Sequence, residues 1–347
     1  MPEPGPLRYA VIEITNRCNL RCRHCASTSG AARAGEFTLA EIRTVIADIR
    51  ALGGEEVTII GGEALLRPDW RDVCSAVREQ GMRLLLITNG LLLRTPADFA
   101  ALRDLAPYLV GVSLDGATPA SYRALRGVDG FAHTLTVLRR LRDEGHPQVN
   151  AITTFFRANL REFDDFARLL DGSDITWQVQ IANRGGARFG RDDFLDRQGY
   201  AWLTRRMRDV YVERPDTLHL AYMDDFGYFP IDPKLRFLHQ TWGGCVAGVE
   251  LVGIRSNGDV LGCLSLADPF VETNLRQVPL AEVWQSGRFF TAFREKERHL
   301  VGECAACPFG QRCRAGCSAI AWSATGSLGC NPHCIRSLEV AEILAGA

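Results

Sequence analysis

Glu13-Ile14-Thr15-Asn16-Arg17-Cys18-Asn19-Leu20-Arg21-Cys22-Arg23-His24-Cys25 runs out of a strand and into three closely spaced cysteines. Residues 9–15 are rich in apolar and β-branched side chains, Asn16-Arg17 supplies a turn, and Cys18-x3-Cys22-x2-Cys25 follows in a short loop. A loop with that spacing can converge three soft sulfur ligands on one iron-sulfur cube. Offering three ligands leaves one iron open to a chelating substrate or cofactor, whereas an electron carrier is normally closed by a fourth cysteine. The competing reading is a zinc site completed by His24 or a distant residue, or cysteines that are simply core. Adjacent ligands such as His24 and Cys25 rarely bind one zinc together.

Outward from this loop, strand patterns at 9–15, 56–60, 83–88, 109–113, 149–154 and 176–181 alternate with helical patterns at 39–52, 70–80, 96–105, 131–144 and 160–170. Thr38 with Glu41 three residues on is a capping-box signature for the first helix. Strands and helices in this alternation predict parallel β/α units, with ligands at the C-terminal ends of the strands. Six units give an α/β fold, an open, partial (β/α)6 barrel over residues 1–183. Residues 184–244 are glycine-rich, charged and then irregular, and are read as a bridging region that contributes to a substrate cleft. Residues 245–347 form a small cysteine-rich domain, in which Ser256-Asn257-Gly258-Asp259 signals a hairpin.

The chain has 347 residues, 23% of them charged, and a net charge of −1, so no basic excess points to nucleic acid. No apolar run of about 18 residues is present to span a membrane, and the first strand starts too early for a signal peptide. A cytoplasmic protein with no nucleic-acid or membrane partner is therefore expected. In a reducing compartment, twelve cysteines are metal ligands or redox groups rather than disulfides. Cys74 stands alone on a predicted helix and reads as a small buried hydrophobe. Eight more fall between Cys245 and Cys334, which exceeds one zinc site and matches two four-cysteine clusters.

The loop quoted above resembles the signature loop of the radical S-adenosylmethionine (SAM) superfamily. The resemblance implies that Cys18, Cys22 and Cys25 hold a 4Fe-4S cluster whose open iron binds SAM, and that an injected electron cleaves SAM to a 5'-deoxyadenosyl radical. It also implies an external one-electron donor such as flavodoxin or ferredoxin. His24 occupies a place usually held by an aromatic residue whose backbone lies near adenine. Gly61-Gly62-Glu63, directly after the second strand, resembles the family motif that holds the SAM ammonium through carbonyl groups and the acidic side chain. Ser113 and Asp115 stand where the family contacts the sulfonium side, carboxylate or ribose. Asn150, Thr154 and Arg157 are expected to reach ribose or carboxylate, and Ile181 and Ala182 to contact adenine.

The late cysteines resemble the SPASM extension of the same superfamily, which carries two auxiliary 4Fe-4S clusters. The resemblance assigns Cys245, Cys263 and Cys317 to one cluster and Cys304, Cys307, Cys313 and Cys334 to the other. Cys330 is left to complete the first; otherwise that cluster has an open iron or a non-cysteine ligand.

Auxiliary clusters suit a reaction in which a substrate radical gives up a second electron, so a two-electron oxidation is expected. A proton must also leave, and Asp224, Asp225 and His239 are the candidate bases. The substrate is expected to be a small polar metabolite, an amino sugar or aminocyclitol that is dehydrogenated. A ribosomally made peptide that is crosslinked or oxidised is the alternative, and redox-neutral epimerisation a further one.

Overall fold

The computed structural model describes residues 5–223, 226, 228–238 and 242–346. Six parallel strands form its centre: β1 (Tyr9–Glu13), β2 (Glu56–Ile60), β3 (Arg83–Thr88), β4 (Leu109–Ser113), β5 (Val149–Phe155) and β6 (Thr176–Ile181). They neighbour one another in sequence order, and a short strand β7 (Leu220–Tyr222) adds in parallel to β6. Helices α1 (Leu39–Ala51), α2 (Trp70–Glu79), α3 (Pro96–Leu105), α4 (Pro119–Arg126), α5 (Phe131–Asp143) and α6 (Phe163–Leu170) fill the connections, and α7 (Arg197–Glu213) follows β6. This is the open β/α barrel that the alternation predicts. Helix α4, β7 and the extent of the sheet are additions to it.

Burial explains the strand compositions. β2 alternates between buried and half-buried positions, whereas β5 is buried at six of its seven, as expected of a strand covered on both faces. Helix α1 turns Ile42, Val45, Ile46 and Ile49 to the core, and Thr38 and Glu41 form the reciprocal cap at its start. Cys74, on α2, is completely buried among apolar neighbours, and burial pushes its thiol up to about 12.

The cysteine-rich segment is built onto the same sheet. The hairpin signalled by Asn257-Gly258 forms as β8 (Leu251–Ile254) and β9 (Asp259–Leu261), and a two-residue strand β10 (Thr273–Asn274) pairs with β9. Gly258 has φ of +91°, the left-handed region this turn requires. Strand β8 pairs in parallel with β1, Tyr9 opposite Leu251 through Ile12 opposite Ile254. Among the described residues the sheet therefore has ten strands, with β10 and β7 as its edges.

A buried polar knot fastens this junction. The Glu13 carboxylate ends β1 and accepts two hydrogen bonds from Arg33, at 2.6 and 3.0 Å, and one from the Ser256 hydroxyl at 2.9 Å. Glu36 accepts from the Thr15 hydroxyl, the Asn16 and Arg33 backbone N–H groups and the Ser256 hydroxyl. Burial alone would raise the Glu36 carboxyl, but these donors outweigh it and hold it below the usual range. The hairpin turn and the start of the first cysteine loop are thus tied to the same two carboxylates.

Candidate active site

The cysteine loop leaves the C-terminal end of β1 and is held from three directions. Gly62 and Glu63 donate backbone hydrogen bonds of 2.7 Å to the Thr15 and Arg17 carbonyls. A Cβ on Gly62 would stand 2.4 Å from the Arg17 oxygen, so the glycine is required by the close approach of two backbones. Asn89, following β3, donates its side-chain amide to Asn19 at 2.7 Å. From the loop after β6, Arg188 donates to the Cys22 and Ser29 carbonyls, and Gly186 lies flat against the Cys25 carbonyl.

Cys18, Cys22 and Cys25 line one cavity of about 380 Å³. Gly61, Gly62, Ser113, Asp115, Thr154, Ile181 and Ala182 line it too, as does His24. Cys245, Cys263 and Cys317 face the same space, so thiols from both ends of the chain share a cavity. Burial pushes Cys18 up to about 11 and raises Cys22, against the opposing charge of Arg126 on the latter.

Asp115 is the electrostatic centre of the wall. It is almost wholly buried, accepts a hydrogen bond from His24 Nε2 at 3.0 Å and from the Thr154 backbone N–H at 2.8 Å, and is paired with Arg126. Burial would raise its carboxyl, but His24 and Arg126 prevail and hold it well below the usual carboxylate range. The His24 ring also packs against Phe156, centroids 5.2 Å apart. Position 24 thus joins the cysteine loop to the end of β4 through a hydrogen bond.

Three of the expected contact residues stand outside the cavity wall. Glu63 does not line the cavity: its oxygens accept from the Thr88 hydroxyl and the Asn89 backbone, both at 2.7 Å, and from Leu65 N, so the carboxylate braces the end of β3. Asn150 is the second residue of β5, at the end remote from the cavity, where it donates to Gln178. Arg157 points outward to Asp196. Asp224, Asp225 and His239 lie outside the described residues.

Several lining residues escaped the sequence reading: Thr88, Asn89, Arg126, Gln180 and Arg188. Thr88, Asn89 and Gln180 sit at or near strand C-termini, a signal that was available. Arg126 ends α4, is 6% exposed and has a buried Nε with no hydrogen-bond partner among the described residues, so that a buried cation keeps an unused donor.

The remaining cysteines gather elsewhere. Cys304, Cys307, Cys313 and Cys334 line a second cavity of about 400 Å³, the set that the SPASM resemblance groups together. Cys330 lies beside Cys304, whose thiol it influences, and does not line the first cavity. Among the described residues no three His, Cys, Asp or Glu side chains converge on a single-ion site, and Nε2 of His24 is hydrogen-bonded to Asp115.

The donor chemistry fits iron-sulfur clusters. Backbone N–H groups point at four of the sulfurs: Leu20 to Cys18 and Ser29 to Cys25 at 3.4 Å, Ser265 to Cys263 and Asn331 to Cys304 at 3.5 Å. Such hydrogen bonds favour the anionic thiolate that an iron centre binds. For SAM, the unpartnered Arg126 Nε and the bare backbone of Gly61 and Gly62 offer complementary sites for carboxylate and ammonium.

The sequence model of the Radical SAM superfamily matches residues 12–170, and that of the SPASM iron-sulfur cluster-binding domain matches residues 245–308. The chain is 31% identical over 355 residues to the AdoMet-dependent heme synthase of Methanosarcina barkeri, covering 94% of this chain and 96% of that one. It is 28% identical over 336 residues to the mycofactocin maturase MftC of Mycobacterium tuberculosis, covering 93% and 82%. In fold it resembles Streptococcus suis SuiB bound to the precursor peptide SuiA, with a TM-score of 0.74 at 17% identity, covering 95% of this chain and 75% of that one. It likewise resembles anSMEcpe with bound AdoMet, with a TM-score of 0.70 at 16% identity, covering 94% and 93%. No described helix is long and apolar enough to cross a membrane. The cysteine loop, the strand-end wall around it and the later thiols thus have their explanation in common descent: this chain belongs to the radical SAM superfamily, as a SAM- and iron-sulfur-dependent enzyme with a SPASM domain.

Proposed function

We propose that the protein oxidises a peptide substrate by a radical SAM mechanism that uses one SAM-binding and two auxiliary 4Fe-4S clusters. The observation that carries the oxidative reading is the shared cavity, in which Cys245, Cys263 and Cys317 face Cys18, Cys22 and Cys25. A substrate held there sits between a site that starts a radical and a site able to take its second electron. The peptide reading is supported by the mycofactocin maturases among the relatives and by a fold that, in SuiB, holds a precursor peptide. It displaces the expectation of an amino sugar or aminocyclitol.

In this reading Cys18, Cys22 and Cys25 hold the SAM-binding cluster, and Cys304, Cys307, Cys313 and Cys334 the outer auxiliary one. Bound there, cluster and SAM supply the electron and the radical that removes a substrate hydrogen. Arg126 holds the SAM carboxylate, kept in place by Asp115, and the Gly61 and Gly62 carbonyls receive its ammonium. Ser113 and Thr154 orient the ribose, while Ile181 and Ala182 exclude water around adenine. An external one-electron reductant completes the system.

The 31% identity to a heme synthase over nearly the whole of both chains favours a second reading, in which the substrate is a tetrapyrrole. Anaerobic assay of the reduced enzyme separates the two. The peptide reading expects 5'-deoxyadenosine formation coupled to loss of a hydrogen pair from a peptide encoded beside the gene. Turnover of a porphyrin precursor with the peptide untouched would replace it with the second.

A further inference from the structure

We propose that the buried ammonium of Lys296 is the counter-charge of the auxiliary cluster assigned to Cys245, Cys263 and Cys317, and that it raises the reduction potential of that cluster, preparing it to take the electron of a substrate radical. The proposal rests on the three-cluster reading above. Lys296 opens a single helical turn, Lys296–His299, and is 1% exposed. Its Nζ donates to the Gly316 carbonyl and to the Ser318 hydroxyl, both at 3.0 Å, and these two residues flank Cys317 in the chain. Cys317 and Ser318 line the first cavity whereas Lys296 does not, so the ammonium stands behind the wall that carries the thiol. It reaches a substrate only through what Cys317 holds.

An ammonium taken out of water is costly unless an anion faces it. Its acidic neighbours in sequence are engaged elsewhere, Glu295 by Arg298 at 3.0 Å and Glu297 by Arg314 at 3.2 Å. Two of its three N–H donors meet neutral oxygens, which solvate the cation without cancelling its charge. The groups nearby that can carry the opposite charge are thiols, Cys245 and Cys317 foremost and then Cys313, with Arg314 acting against them. Burial draws the ammonium below its usual range, and these thiols oppose the pull. The Gly316 carbonyl is also fixed in place: Gly316 has φ of +60°, and a Cβ on it would stand 2.4 Å from the Tyr228 ring.

A 4Fe-4S cube on cysteine thiolates is a net anion, and reduction makes it more negative, so its potential follows the charge around it. A fixed cation in a low-dielectric interior favours the reduced form. Of the thiols around Lys296, Cys245 and Cys317 belong to the cavity-facing set and Cys313 to the outer one. The effect therefore falls chiefly on the cluster that faces the substrate.

The test is a reductive titration read by electron paramagnetic resonance, on the chain with Cys18, Cys22 and Cys25 all changed to Ala and reconstituted with iron and sulfide. That parent should hold about eight irons, two cubes. Adding Lys296→Met should make reduction of one cluster about 10- to 100-fold less favourable, a fall of roughly 60–120 mV at about 59 mV per tenfold for one electron. Lys296→Arg, which keeps the charge, should restore most of it. The shift should persist when Cys304→Ala and Cys334→Ala are added to remove the outer cluster. Unchanged potentials at full iron content overturn the proposal while leaving three clusters intact, and a shift confined to the outer cluster overturns it too. An iron content of about four in the parent would instead sink the three-cluster reading beneath it. Should the parent fail to assemble, the three-cluster holoenzyme is titrated, its first cluster recognised by the response of its signal to SAM. Should Lys296→Met lose iron, Lys296→Gln takes its place. Iron loss from both neutral variants but not from Lys296→Arg supports the counter-charge, whereas loss from all three shows that the site needs the shape of lysine and overturns it.

Discussion

Arg126 shows what a single residue contributes. Its guanidinium is buried against Asp115 with one nitrogen left over, and a charge-assisted hydrogen bond in such a setting is worth about 1.5–3 kcal/mol. Arg126→Gln should therefore weaken SAM binding by about 10- to 100-fold, with Arg126→Lys recovering part of it; equilibrium binding of SAM to the reconstituted enzyme is the measurement. Arg157→Ala should leave that affinity unchanged, because the side chain faces Asp196 outside the cavity. The grouping of the cysteines and part of the wall of the first cavity were legible in the sequence, because closely spaced cysteines and strand-end glycines leave a local pattern. Arg126 was not legible: its helix is eight residues long, and nothing local marks which of the arginines in Arg123-Ala124-Leu125-Arg126 turns inward. Asn150 stands away from the cavity for a geometric reason. At about 3.3 Å per residue, five positions before the end of β5 put it roughly 16 Å from the strand terminus that carries the site.

At the scale of elements, the six core strands were legible almost to the residue, since each is a short β-branched run between helical patterns. The three-residue strand β7 was not, because its edge position demands no pattern. The loop after β2 makes a sharp demand. Gly62→Ala would drive a methyl into the Arg17 carbonyl, and overpacking of this kind costs about 1–3 kcal/mol. The variant should show lower thermal stability and reduced iron incorporation, since the displaced backbone is that of the cysteine loop; full iron loading would show that the loop yields. Helix α2 supplies a pH dependence. Cys74 is raised from an ordinary value of 9.0 to about 12 by burial, so its contribution is complete below pH 9 and is lost as pH rises towards 12, when the buried thiol must ionise. Stability measured by denaturant titration should fall over that window, less steeply in Cys74→Val.

For the whole molecule, the junction between the two ends of the chain is the decisive feature. The hairpin was predicted, but not its pairing with β1, because strand registry between residues so distant in sequence leaves no local trace. Glu13 stands where β1, the hairpin turn and the cysteine loop meet. Glu13→Gln leaves Arg33 without its carboxylate, and breaking such a pair costs about 3 kcal/mol. A lower melting temperature should be accompanied by loss of iron from both the early and the late cysteine sites. Loss from one site alone would show that the knot does not couple them.

The parallel pairing of β8 with β1 also has a consequence in time. During synthesis β1 and β2 emerge early and can pair, yet the outer edge of β1 stays bare until Ile254 has left the ribosome. An unpaired apolar edge in a nascent chain invites the wrong neighbour. For most of its translation, then, this protein exposes the strand that feeds its first cysteine loop, and the pause before that edge is covered is when a chaperone would be of most use to it.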